Sequence, residues 1–219
     1  MEITNAWQLV IAACTGIGLS AACGFRVFIP VLFAAAAARA GLLTLSESMS
    51  WLSSDIALII LGIATILEIT AYFVPWLDNA LDVISAPAAV IAAGVLTAEL
   101  TSEISPVLRW PLVAVAAANT GIIKGAMGGV RATSTASTGG MTNFVVSGSE
   151  FVGAAAASAL SIFIPVFAAV IAAVLAVICI ILFRKMKNIV YSLADRFLLK
   201  VRGGAPACAG TEVPPPGDS

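Results

Sequence analysis

Apolar residues run along this chain in long blocks, parted by short polar or proline-marked breaks. A helix needs about 20 apolar residues to cross a hydrocarbon core. Residues 7–22 form the first such block, with Trp7 as an interfacial anchor. The stretch Gly24-Phe25-Arg26-Val27-Phe28-Ile29-Pro30 predicts a break, because proline removes a backbone donor and clashes with the turn before it. Residues 31–40 resume as a short alanine-rich helix carrying Arg39, 46–54 read as a polar loop, and 55–74 as a full span with one interior acid, Glu68. Residues 75–87, bracketed by Pro75 and Pro87 and too polar to face lipid, predict a separate short helix at an interface or re-entering the membrane. A further apolar helix covers 88–100, and Pro106 and Pro111 then frame the interfacial pair Arg109-Trp110. Residues 112–123 lead into a second glycine–arginine break, and the hydroxyl-rich stretch 132–147 is expected to re-enter the membrane rather than form an outer loop. As one helix 151–183 would be about 50 Å long against a core of about 30 Å, so it is expected to divide at Pro165.

After residue 183 the pattern changes. Met186, Ile189, Val190, Leu193, Phe197 and Val201 recur at helical spacing among charged neighbours, predicting an amphipathic helix on the membrane surface over 184–202. Residues 203–219, with Pro214-Pro215-Pro216, read as a disordered tail.

Two segments match in register. Thr15-Gly16-Ile17 through Gly24-Phe25-Arg26 shares Thr, Gly, Ile, Ala, Gly and Arg with Thr120-Gly121-Ile122 through Gly129-Val130-Arg131. Membrane proteins built from two repeats often hold a binding site between them near mid-bilayer. The reading is a transmembrane domain over 1–183, with repeat one at about 7–103 and repeat two at about 107–183. The shortness of 31–40 favours a half-crossing there, and hence an inverted pair. The expected fold is an all-α polytopic bundle of two repeats with broken or re-entrant helices.

Composition agrees. Hydrophobic residues are 60% of the 219, charged residues 11%, and mean hydropathy is +1.06. A soluble domain carries roughly twice that charge fraction. The net charge of −1 matters less than its distribution, since six of the eleven basic residues fall between Arg184 and Arg202. A basic block beside an apolar helix points to anionic lipid headgroups, met through Arg184, Lys185 and Lys187, and not to nucleic acid. By the positive-inside rule it also places this end in the cytoplasm. Histidine is absent, and Cys14, Cys23, Cys179 and Cys208 form no CxxC pair, so neither a zinc site nor a disulfide framework is expected. The first charged side chain is Glu2, so residues 7–22 are read as a retained helix and not a signal peptide.

The candidate site residues are Arg26, Arg131, Glu68, Asp78 and Asp82, with helix breaks at Gly24, Pro30, Pro75, Gly128 and Gly129. Charges inside hydrocarbon are costly, and intramembrane ionisable groups are functional candidates by default. One reading has the guanidiniums contact an anion or headgroup; the other has them pair with carboxylates to fix helix packing. Asp78 and Asp82, four apart, share a helical face and with Glu68 offer either a cation or proton site or structural partners for Arg26, Arg131 and Lys124. Gly121, Gly125 and Gly129 follow the small-xxx-small spacing that permits close helix contact, expected inside the chain more than between copies.

Enzyme patterns fail. Asp78-x3-Asp82 lacks the preceding aspartates of a phosphatidyl-alcohol transferase, the spans hold no Gly-Asp of an aspartyl protease, and no histidine exists to activate Ser or Cys. No enzyme activity, metal or cofactor is expected. Gly24-Phe25-Arg26 with Pro30, then Glu68, Pro75, Asp78, Asp82 and Pro87, then Gly128-Gly129-Val130-Arg131 resemble the small bacterial integral membrane proteins grouped as domain of unknown function 4126. The resemblance covers roughly residues 11–183 and implies a multi-pass inner-membrane protein without assigning a substrate. The functional expectation is a transporter or channel for a small ion or polar solute, with a charged site between the repeats. The alternative is a non-conducting lipid-interacting or scaffold protein of the envelope, with homo-oligomers open to either.

Overall fold

The computed structural model describes residues 2–71, 74–139 and 141–203, without the side chains of 2–5, 75, 76, 79, 82, 183 and 186–203. The chain falls into two units, Met1–Leu182 and Phe183–Ser219. Among the described residues it is all-α: α1 (Glu2–Phe25), α2 (Phe28–Arg39), a short 3-10 helix (Glu47–Ser53), α3 (Asp55–Thr70), α4 (Pro75–Leu100), α5 (Pro106–Thr138), α6 (Asn143–Phe163) and α7 (Pro165–Gly203). The second unit, as far as it is described, is the helical run that ends at Gly203. The side chains that would form its expected surface-binding face lie outside the described residues, as does the expected tail beyond Gly203.

Local chemistry sets most boundaries. Pro30 falls in the first turn of α2, where a missing N–H costs nothing, and α1 gives way to α2 at Arg26-Val27. Helix α2 closes on Gly41, whose φ of 74° suits glycine alone; Gly41 N donates to Ala38 O and Leu42 N to Ala37 O, a Schellman cap. Residues 47–53, expected as loop, wind into a 3-10 turn, and the Ser54 hydroxyl then caps α3 by accepting from Ala57 N at 3.2 Å. Pro75 opens α4 at a first-turn position. Helices α6 and α7 part at Ile164-Pro165, the division expected from length.

Two expectations are corrected. Residues 75–87 are not a separate unit: they are the first half of α4, which continues through Pro87 to Leu100. A single proline deletes one backbone hydrogen bond, which an apolar helix packed among others tolerates. The break expected at Gly128 and Gly129 is absent, because α5 runs unbroken through both and through Arg131 to Thr138. Arg26 is followed by Pro30, whereas no proline follows Arg131 until Pro165. Glycine alone costs a helix only about 1 kcal/mol. The hydroxyl run is helical to Thr138, turns at Gly139 and at Met141-Thr142, and enters α6 at Asn143. Thr133, Ser137 and Thr138 donate to the carbonyls of Gly129, Thr133 and Ser134, at 2.9, 2.9 and 2.8 Å, so the helix absorbs its own hydroxyls.

Side-chain contacts fix the directions within the first unit. Leu19 and Cys23 of α1 share a buried cluster with Ala34 and Ala35 of α2, so α2 folds back along α1. Thr97 of α4 donates to Gly16 O while Asp78 meets Arg26, so α4 runs against α1. Gly153 of α6 faces Phe25 and Ser161 faces Gly18, again antiparallel. Thr120 of α5 donates to Ser20 O at 2.7 Å, and Gly24 meets Ile123, so the two matching segments lie side by side in the same direction. An inverted pair would run oppositely. Helix α1 is thus the central post, touched by α2, α4, α5 and α6.

Burial is inside-out relative to a soluble protein. Thr15, Ser20, Arg26, Thr65, Glu68 and Asp78 are buried, while Ile56, Ile59, Ile60, Ile63, Ile66 and Leu67 of α3 are exposed. Five described helices are long and apolar enough to cross a membrane, or six if the 3-10 helix and α3, bent by 61°, count as one span. Apolar side chains outward and charges inward identify a multi-pass membrane protein.

Candidate charge cluster

Arg26 follows the last turn of α1, Glu68 stands near the end of α3, Asp78 in the first turn of α4, Arg131 two turns before the end of α5, and Glu150 two turns into α6. The alternating directions bring all five to one end of the bundle. Each is at most 3% exposed. Arg26 Nη2 lies 3.3 Å from Asp78 Oδ1, its Nε 3.1 Å from Glu150 Oε2, and its Nη1 3.8 Å from Glu68 Oε1. Arg131 Nη1 lies 3.0 Å from Asp78 Oδ2, and Arg131 Nη2 also donates to Glu150 Oε2. The Ser147 hydroxyl donates to Asp78 Oδ2 at 2.7 Å. Asp78 and Glu150 therefore each bridge both guanidiniums, and among the described ion pairs Glu68 meets Arg26 alone.

The expected site is met in part. Arg26, Arg131, Glu68 and Asp78 come together, whereas the Asp82 side chain lies outside the described residues, one turn beyond Asp78 on α4. Both arginines meet carboxylates. The cluster lies at the end of the apolar windows Ala6–Phe25 and Val83–Leu100, not at their middle. Glu150 is the member that sequence reading missed. Its signal was the buried face of α6, where Asn143, Ser147, Glu150, Ala154, Ser158 and Ser161 recur at three- and four-residue steps in an otherwise apolar helix.

Three carboxylates face two guanidiniums in this network. Lys124, buried on α5, also lies close enough to act on Glu68. The desolvation of five charges is regained only through mutual pairing, and removing one member of such a set costs about 3–5 kcal/mol. Among the described residues no group of three or more Asp, Glu or Cys is arranged to hold a metal ion.

A groove of about 520 Å³ opens beside the cluster, between Ala86, Pro87 and Val90 of α4 and Gly121, Lys124 and Gly125 of α5. Nothing lies within 4 Å of a Cβ placed on Gly125 or Gly128. Of the seam expected along Gly121, Gly125 and Gly129, a Cβ on Gly121 would meet Val90 at 3.8 Å while Gly125 borders open space; the tighter approaches are on α1, where Gly18 meets Ser161 and Gly24 meets Ile123.

No curated protein and no solved structure matches the chain. The family model described as Domain of unknown function (DUF4126) matches residues 13–185, which take in the whole cluster. The chain, with its ionic network closed between α1, α3, α4, α5 and α6, belongs to the DUF4126 family.

Proposed function

We propose that the protein is a transporter or channel for a small ion or polar solute, working through the cluster of Arg26, Glu68, Asp78, Glu150 and Arg131. The observation that carries this reading is the convergence of five buried charges from five helical segments on one end of the bundle. Apolar residues of similar volume would hold such helices together as well or better, so stability alone is a poor reason to keep the charges. Because the guanidiniums are occupied by Asp78 and Glu150, they act as a latch between helices in place of an open anion site. Parting the latch would open a polar route at that end. The reading takes α1 and α5 as equivalent parts of two repeats, from the residues they share in register.

The test is flux into liposomes holding the purified protein. The double variant Arg131→Met with Glu150→Gln removes one charge of each sign, so it is expected to fold and to lose flux. Unchanged flux would remove the cluster from the mechanism.

A second reading is favoured by the pairing itself, since both arginines meet carboxylates within the protein. It is a non-conducting, lipid-interacting envelope protein without enzyme activity, held at the inner membrane with Arg184, Lys185 and Lys187 on cytoplasmic anionic headgroups. Arg184 and Lys185 are exposed on α7, as that contact requires. The α4–α5 groove would then seat acyl chains or a second copy. Absence of flux for any small ion from a folded wild-type protein would favour this reading.

A further inference from the structure

We infer that Glu68 is the proton-exchanging member of the cluster, taking up and releasing a proton at its Oε2. The three acids differ in how they are held. Asp78 has Arg26 on one oxygen, and Arg131 at 3.0 Å and Ser147 at 2.7 Å on the other. Glu150 has the Nε of Arg26 and the Nη2 of Arg131. Glu68 has one ion pair, a long one at 3.8 Å from Arg26, with the Val27 amide beside it, and its Oε2 is buried without a hydrogen-bond partner among the described residues. A buried carboxylate oxygen left without a donor is the costliest kind of unsatisfied group. One new O–H bond at Oε2 relieves that cost by neutralising the carboxylate, and the proton comes from water and returns to it.

The charged groups facing Glu68 are Arg26 from the end of α1, Lys124 from α5 and Asp78 from α4, with the Val27 amide beside it. Arg26 loses little when Glu68 is neutral, because Asp78 and Glu150 still compensate it at 3.3 and 3.1 Å. A metal ion fits poorly: hard cations take six or more oxygens, and two guanidiniums repel it. A proton needs only the one oxygen. Position helps exchange, since Glu68 stands two residues from the end of α3 at Thr70, a short way from the bundle end. Proton exchange at Glu68 deepens the transport reading and stands on it for its purpose, yet the two fail separately: titration without flux overturns transport, and flux without titration overturns Glu68.

The experiment is difference infrared spectroscopy of the full-length protein in lipid nanodiscs across a pH series, with the proton itself as probe. Beside the bands of the exposed acids, one further protonated-carboxyl band that grows on acidification is expected in the wild type and is absent in Glu68→Gln. In Glu68→Asp, the band is expected at a shifted position, which keeps the test decisive if the glutamine variant does not fold. An acidification difference spectrum that is the same in the wild type and in Glu68→Gln, or a band unmoved in Glu68→Asp, overturns the inference. So does a band displaced by sodium at constant pH, which would make the ligand a metal cation.

Discussion

Arg26 Nε lies 3.1 Å from Glu150 Oε2 across 124 residues of sequence, joining the end of α1 to the second turn of α6. The same carboxylate also receives Arg131. One acid therefore ties three helices, and its loss leaves two buried guanidiniums under-compensated. Glu150→Ala is expected to destabilise the folded protein by about 3–5 kcal/mol, the cost of breaking a buried ion pair from one side. Thermal unfolding in detergent reads this as a large fall in Tm, with Glu150→Gln falling less because an amide oxygen can still accept. A Tm unchanged in Glu150→Ala would mean the contact carries no weight.

The two kinds of glycine in the spans separate cleanly. A Cβ on Gly24 would lie 2.7 Å from Ile123 Cβ and 3.2 Å from Thr120 O, a backbone atom that cannot swing aside. Gly24→Ala is expected to cost about 1–3 kcal/mol through overpacking. Gly125→Ala meets nothing within 4 Å and replaces a poor helix former by the best one, so its stability should be unchanged or higher by up to about 1 kcal/mol. Equal effects from the two substitutions would contradict the described α1–α5 seam.

Thr120 donates both to Ser20 O at 2.7 Å and to its own Ala116 O at 3.0 Å. Thr120→Val removes the bond between helices and keeps the volume. Interhelical hydrogen bonds in membranes average about 0.6 kcal/mol, so a small loss of this order is expected in a denaturant titration. A loss as large as that of Glu150→Ala would mean that the threonine does more than pin α5 to α1.

If the C-terminal block acts at the membrane surface, deleting residues 184–202 should weaken retention of anionic lipid through purification, read by lipid mass spectrometry, and leave neutral lipid unaffected. Each basic residue near an anionic surface is worth about 1 kcal/mol. Equal anionic-lipid retention after deletion would assign the block another role.

Several features were legible from residue order because they rest on local chemistry. Pro30 and Pro165 stand where the chain breaks, and α3 ends before Pro75. Arg26, Glu68, Asp78 and Arg131 stood out as charges among apolar residues, and the fold brings those four together. The breaks assigned to Gly128 and Gly129 failed because glycine weakens a helix without obliging it to stop. Pro87 misled in the opposite sense: one lost backbone bond does not end a helix that is apolar on its far side. Glu150 was overlooked because it borders a hydroxyl-rich run that resembles a loop, and only its helical register with Ser147 and Ala154 marks it as inward-facing. Direction was the least legible property. That α1 and α5 run the same way depends on α2 folding back fully, and length alone did not reveal this in a helix of 12 residues.

The central claim is that the ionic cluster works and does not merely brace the helices. Its most direct measurement is ion or solute flux into liposomes reconstituted with wild-type protein and, separately, with the charge-balanced Arg131→Met/Glu150→Gln double variant at matched protein content and matched Tm. Flux in the wild type that is abolished in the equally stable double variant is the expected result. Flux that is identical in the two would contradict it and leave the cluster as a structural brace.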